Sequence, residues 1–169
     1  MNPYRGLVKQ LDVAGRSVPT ELAYRGLRAV AISRDDLRDD VDGINASIDL
    51  IARTRGGGWP TGPVTDDEDY VDLVWHELEF REGYSYTYVL RDAGGTYLGC
   101  LYLYPVGRRL PLSEETLGHD VDVSWWVTPA AYERGDYALV YEALGEWLGG
   151  VLPFEAPLFS NREIPPREP

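Results

Sequence analysis

The sequence predicts an α+β (α/β-like) fold: a single mixed, mostly antiparallel central sheet flanked by helices. Three observations carry this. Two runs rich in Tyr, Thr and Val, "YSYTYVLRD" (84–92) and "TYLGCLYLYP" (96–105), alternate like strands and are split by the turn "AGG". Segments before and after them repeat their apolar residues at helical spacing. A further alternating run, "DVDVSWWV" (120–127), leads through a short turn into a helix. At 169 residues the chain fits one domain. The expected organisation is an irregular arm over 1–20, the domain over 21–160 and a Pro-rich tail over 161–169.

In chain order, "ELAYRGLRAVAIS" (21–33) has the extended, aliphatic look of one first strand. Ser33 caps a helix whose opening turns carry Asp35, Asp36 and Asp39, acids that suit the positive end of the helix dipole. Val41, Ile44, Ile48 and Ile51 then form one buried stripe, weakened slightly by Gly43. "RGGGWPTGP" (55–63) is a loop with Trp59 expected in an apolar niche. Thr65 and Glu68 stand in capping-box register before a second helix, with Tyr70, Val71, Val74, Trp75 and Leu78 as its inner face. The central hairpin follows, then the run at 120–127. The last helix is expected from Ala131 to Leu148, with Tyr137, Val140, Leu144 and Trp147 inward and a stop at Gly149 and Gly150. A short strand near 155–160 ends the pattern.

Composition narrows the function classes. A formal net charge of −12 without a basic cluster argues against nucleic acid and anionic membrane as partners. The lone Cys100 excludes an internal disulfide, and no apolar run reaches spanning length, so the cytoplasm is the expected compartment. No metal site is expected: His76 and Glu79 lie three apart in "WHELEF", but the second His of a zinc motif is replaced by Phe80. His76 and Glu79 read as a surface hydrogen bond. Cys100, inside an aliphatic run, reads as an inert core thiol, and His119 stands alone in a loop.

The order of elements, with "SYTYVLRDAGGTYLGCLYLYP" as paired central strands and "VSWWVTPAAYERGDYALVYEALGEWL" as strand, turn and helix, resembles the GNAT superfamily of acyl-CoA N-acyltransferases. The likeness is to a bacterial GNAT-like group of uncertain substrate, and it covers roughly residues 21–160. It implies acetyl-CoA as cofactor and a small amine as substrate. It also implies that a turn of pattern Gln/Arg-x-x-Gly-x-Gly/Ala holds the coenzyme diphosphate on main-chain amides, as helix starts do. The corresponding residues are Glu133, Arg134, Gly135, Asp136, Tyr137 and Ala138, of which Ala138 matches cleanly while Glu133 and Asp136 place carboxylates beside the phosphates. The implied cofactor residues are Trp125, Trp126 and Val127 along the arm, with Arg134, Gly135, Tyr137 and Ala138 in the turn. Relative to that pattern, the last helix and two terminal strands are expected to be missing after the fifth strand.

Asp122 is the candidate general base; it shares one strand face with Asp120, Ser124 and Trp126, a pattern that also fits a solvated face. Tyr84, Tyr86 and Tyr88, with Tyr102 and Tyr104 on the next strand, suggest an aromatic wall that either lines a pocket or packs under a helix. Two alternatives to catalysis stay open. One is a non-catalytic small-ligand-binding domain that has lost the diphosphate turn; the other is an assembly domain, possible as a homodimer, built on an exposed strand edge.

Overall fold

A computed structural model describes residues 10, 11 and 13–167 of the chain. The remainder of the predicted N-terminal arm and the last two tail residues lie outside the described residues.

Six strands form one sheet in sequential order: β1 (Glu21–Tyr24), β2 (Leu27–Ala31), β3 (Tyr86–Arg91), β4 (Tyr97–Tyr104), β5 (Val121–Val127) and β6 (Pro157–Phe159). All neighbours pair antiparallel except β5 and β6, which run parallel. Helices α1 (Leu37–Thr54) and α2 (Asp66–Glu82) cover one face; α3 (Pro129–Glu133) and α4 (Asp136–Trp147) follow β5, with α4 on the other face. The alternation of β5 divides its side chains between two cores. Val121, Val123, Trp125 and Val127 join Tyr137, Val140, Leu144 and Trp147 of α4, while Trp126 joins Ile44, Ile51 and Leu73 of α1 and α2.

Four elements depart from the sequence reading. The first strand is a hairpin, because Arg25 and Gly26 both adopt positive φ (45° and 82°), the backbone of a two-residue turn. The last helix is two helices, since Gly135 at φ 89° breaks it between Glu133 and Asp136. On α2 the buried residues are Asp69, Leu73 and His76, whereas Tyr70, Val71 and Trp75 are exposed. Apolar residues lie nearly all around this helix, so periodicity alone selects no face. The tyrosines form two walls, not one. Tyr86 and Tyr88 point to the α4 side, Tyr102 points to the α1–α2 side, and Tyr84 precedes the strand.

Other features stand as read. Thr65 and Glu68 close a reciprocal capping box, and Ser33 does so with Asp36 at a 3-10 turn that leads into α1. Asp36 and Asp39 additionally pair with Arg91 of β3 at 2.8 and 2.9 Å, fastening the start of α1 to the sheet. Gly43 has a packing reason: a Cβ there would lie 2.4 Å from the Tyr97 ring. The described part of the arm folds back, with Leu11 buried and its amide donating to the Gly83 carbonyl at 2.9 Å.

Candidate functional site

Strand β5 connects two places with chemistry. At its C-terminal end, Thr128 caps α3, and the chain turns through Arg134 and Gly135 into α4. The first turn of any helix lacks intrahelical acceptors for its N–H groups, and Gly135 at the N-cap has no side chain to supply one. The amides of Asp136, Tyr137 and Ala138 are therefore donors of the kind that bind anions, with the helix dipole behind them. Arg134 is engaged next door: its Nη2 donates to Asp136 Oδ2 at 2.9 Å. Glu133 is exposed. The pair partly neutralises the carboxylate that the turn pattern lacks.

The other predicted cofactor residues are built into the protein interior. Trp125, Trp126 and Val127 are fully buried, and Tyr137 is nearly so. Beyond β6 the chain continues along the outer edge of β5. Ser160 donates its amide to the Val123 carbonyl at 3.0 Å. The Asn161 carboxamide then accepts from the Trp125 amide at 3.1 Å and donates to the Trp125 carbonyl at 2.9 Å. It also donates to Tyr137 Oη, which in turn donates to the Glu163 carbonyl. By the same alternation the main chain of Val127 faces this edge. The turn thus fits a diphosphate through its amides, and the edge of β5 fits a pantetheine arm at Val127, with Trp125 held by Asn161.

On the α1–α2 face, the polar side chains of β5 lie beneath α1 instead of in solvent. Asp122 and Ser124 are each 1% exposed. Asp122 Oδ1 accepts from the Ser160 hydroxyl, while Oδ2 has no partner among the described residues. Burial raises the Asp122 pKa, offset in part by the Ser160 hydrogen bond and by the charges of Arg109 and Arg55. Asp120 instead ties down the chain before β6, accepting from the amides of Glu155 and Ala156.

Beside these residues lies a cavity of about 290 Å³ between the loop after α1, helix α2 and strand β4. Trp59, expected in an apolar niche, lines this cavity and is 37% exposed. His76, expected on the surface, is buried: Nδ1 lies 3.0 Å from Thr87 Oγ1 and Nε2 lies 3.2 Å from Asp72 Oδ2. Burial pushes the Asp72 carboxyl up, but the His76 hydrogen bond and charge together with the charges of Arg108 and Arg55 outweigh this and hold it below the usual range. Glu79 accepts from Ser85 and from Arg108. Sequence reasoning passed over Arg55. It continues the buried stripe of α1 (Ile44, Ile48, Ile51, then four residues on), and that spacing is the signal that places it against the sheet.

A third group lies deeper between the helices. Asp40 and Asp69, 4% and 3% exposed, face one another; Asp40 accepts from the Tyr97 hydroxyl and from Cys100 Sγ, while Asp69 Oδ2 has no partner among the described residues. Burial, with Asp40 and then Asp72 as like charges, pushes Asp69 up to about 8. The Cys100 thiol is raised by burial and by Asp40, consistent with a protonated core group.

Solved structures of acetyltransferases share this fold. One is the ribosomal L7/L12 alpha-N-protein acetyltransferase RimL in complex with coenzyme A (TM-score 0.57, 12% identity, 80% of this chain and 70% of that one). Others are a ribosomal-protein-S5-alanine acetyltransferase from Vibrio fischeri (0.56, 11%, 76% and 67%) and an acetyltransferase from Salmonella typhimurium that modifies the N-terminal serine of L7/L12 (0.54, 11%, 82% and 67%). At these identities the likeness is one of fold. No protein-family profile and no curated protein matches the sequence.

Proposed function

We propose that the protein is an acyl-CoA-dependent N-acyltransferase acting on a small amine. The observation that carries this reading is the uncapped start of α4, which follows β5 in a GNAT fold and offers the amides of Asp136, Tyr137 and Ala138. In this reading Gly135, Tyr137 and Ala138 hold the diphosphate through main-chain N–H groups. Arg134 adds a cation, and of Trp125, Trp126 and Val127 it is Val127 whose main chain borders the arm, Trp125 being held by Asn161 and Trp126 paired to β4. Bound acetyl-CoA supplies the activated acyl group. Asp122 is the general base that takes the proton from the amine, a role suited to a carboxylate whose basicity is raised by burial. The experiment is an acetyl-transfer assay against a panel of small amines, following release of the free thiol. Turnover in wild type and its loss in Asp122→Asn, with coenzyme binding retained, supports the reading; equal turnover in both removes Asp122 from the mechanism.

A second reading has its own observation. Asn161 and Glu163 occupy hydrogen-bonding groups of Trp125 and Tyr137 that the first reading places next to the coenzyme. If the segment stays in place, the domain binds a small ligand without acyl transfer. Absence of turnover and of coenzyme binding, together with ligand binding elsewhere, favours this alternative.

A further inference from the structure

The cavity beside α2 contains three arginines in different circumstances. Arg108 is forked onto Glu79, its Nη1 and Nη2 donating to the two carboxylate oxygens at 2.6 and 3.2 Å. Arg109 gives Nη1 to Ser160 and Nη2 to the carbonyls of Arg55 and Gly56, so its guanidinium clamps the loop to the C-terminal segment. Arg55 has no such engagement. Its Nε donates to Ser124 Oγ at 3.0 Å, and its guanidinium lies 4.0 Å from the centre of the Tyr102 ring. Those two contacts fix the plane of the group. Among the described residues no carboxylate lies within ion-pair distance, and neither Nη has a protein acceptor.

Arg55 is only 6% exposed, yet it lines the cavity. A buried cation with no carboxylate at ion-pair distance, only the more distant charges of Asp72 and Asp122, is costly, and one fixed by a hydrogen bond and an aromatic face is already organised to receive an anion. A guanidinium presents parallel N–H groups that match a carboxylate in a bidentate fork. The surroundings also select among anions. Arg109 adds a second positive charge beside Arg55, Arg108 is neutralised by Glu79, and Asp72 in the cavity with Asp122 close by offsets the two free cations, so the site has room for one further negative charge more readily than for two. The volume, about 290 Å³, is at the small end for ligand pockets.

We propose that this cavity binds a small carboxylic acid, of amino-acid size, with its carboxylate forked on the Nη1 and Nη2 groups of Arg55. The proposal concerns the cavity alone and holds whether or not acyl-CoA binds at the turn. Where the acid also carries an amine, the half-exposed carboxylate of Asp72 is within the same cavity to receive it.

The test uses the full chain without coenzyme. Thermal unfolding is followed at constant ionic strength with millimolar glycine, glutamate or benzoate as carboxylate probes, inorganic phosphate as the competing anion and putrescine as a cation. At least one carboxylate raises the melting temperature, more than phosphate or putrescine does. Arg55→Lys, which keeps the charge but loses the fork, weakens that binding about tenfold. Arg55→Gln abolishes it, and the surface substitution Arg25→Gln leaves it intact. Crystals of the wild type soaked in the best probe place the acid group on Arg55, an outcome that stands even if the variants do not fold. No shift with any carboxylate, a larger shift with phosphate, an unchanged shift in Arg55→Gln, or density elsewhere each overturns the proposal.

Discussion

The turn before α4 and the cavity at the end of α1 hold charge in opposite ways. At the turn, Arg134 pairs with the half-buried Asp136, Glu133 is exposed to solvent, and the helix start offers neutral main-chain amides. At the cavity, the guanidinium of Arg55 is buried with no carboxylate at ion-pair distance among the described residues, against a strand face that also buries Asp122 with one bare oxygen. Water compensates an imperfect arrangement freely at the first place, and at the second only through the cavity that Arg55 lines. A chain of net charge −12 thus lines one cavity with two arginines, Arg55 and Arg109, that have no carboxylate at ion-pair distance among the described residues.

The sharpest separation of the two places comes from activity. Asp122→Asn lowers acetyl transfer by about 100-fold to 10,000-fold, the usual weight of a general base, with coenzyme affinity unchanged. An equal loss of binding would mean that the buried face and the turn act as one unit.

The buried side is also where packing leaves no slack. Gly43→Ala drives a methyl into Tyr97, whose hydroxyl holds Asp40, and costs about 1–3 kcal/mol in denaturant unfolding. An unchanged midpoint would show that the ring can retreat.

The Asp40–Asp69 pair gives a pH signature. Asp69 is near 8 in the folded protein against about 3.9 in an unfolded chain. The native state thus keeps a proton that the unfolded state releases, so this group's contribution is full below about pH 4 and is lost as pH rises through about 8. Asp69→Asn imitates the protonated acid at every pH. Its melting temperature relative to wild type should climb between pH 5 and pH 8.5; a constant difference contradicts a raised Asp69 carboxyl.

At the exposed turn the effects are smaller. Asp136→Asn releases Arg134 and removes a like charge from the phosphate position, strengthening coenzyme binding several-fold, about 0.3–1 kcal/mol. Weaker binding would show that Asp136 holds the turn in shape.

These places differ in how far the sequence discloses them. Local rules sufficed for the capping boxes at Ser33 and Thr65, the central hairpin and the inward face of α4, because each depends on residues within a few positions. The break at Gly135 and the turn at Arg25 and Gly26 were less legible, since both depend on positive φ that an Arg-Gly or a Gly-Asp pair does not advertise. Burial of His76, Asp69 and Asp122 was illegible for another reason. Each is satisfied or surrounded by groups far along the chain, Thr87, Asp40 and Ser160 respectively. Asn161 belongs with them. It sits in what composition marks as a Pro-rich tail, yet its carboxamide completes the hydrogen bonding of Trp125, 36 positions away.

Calorimetric titration of coenzyme A into the wild-type protein and into Arg134→Glu bears most directly on the assignment of the turn. The account predicts a saturable heat of one-to-one binding in the wild type that disappears when Arg134 is reversed in sign. No heat at millimolar coenzyme, or the same heat in both proteins, contradicts it.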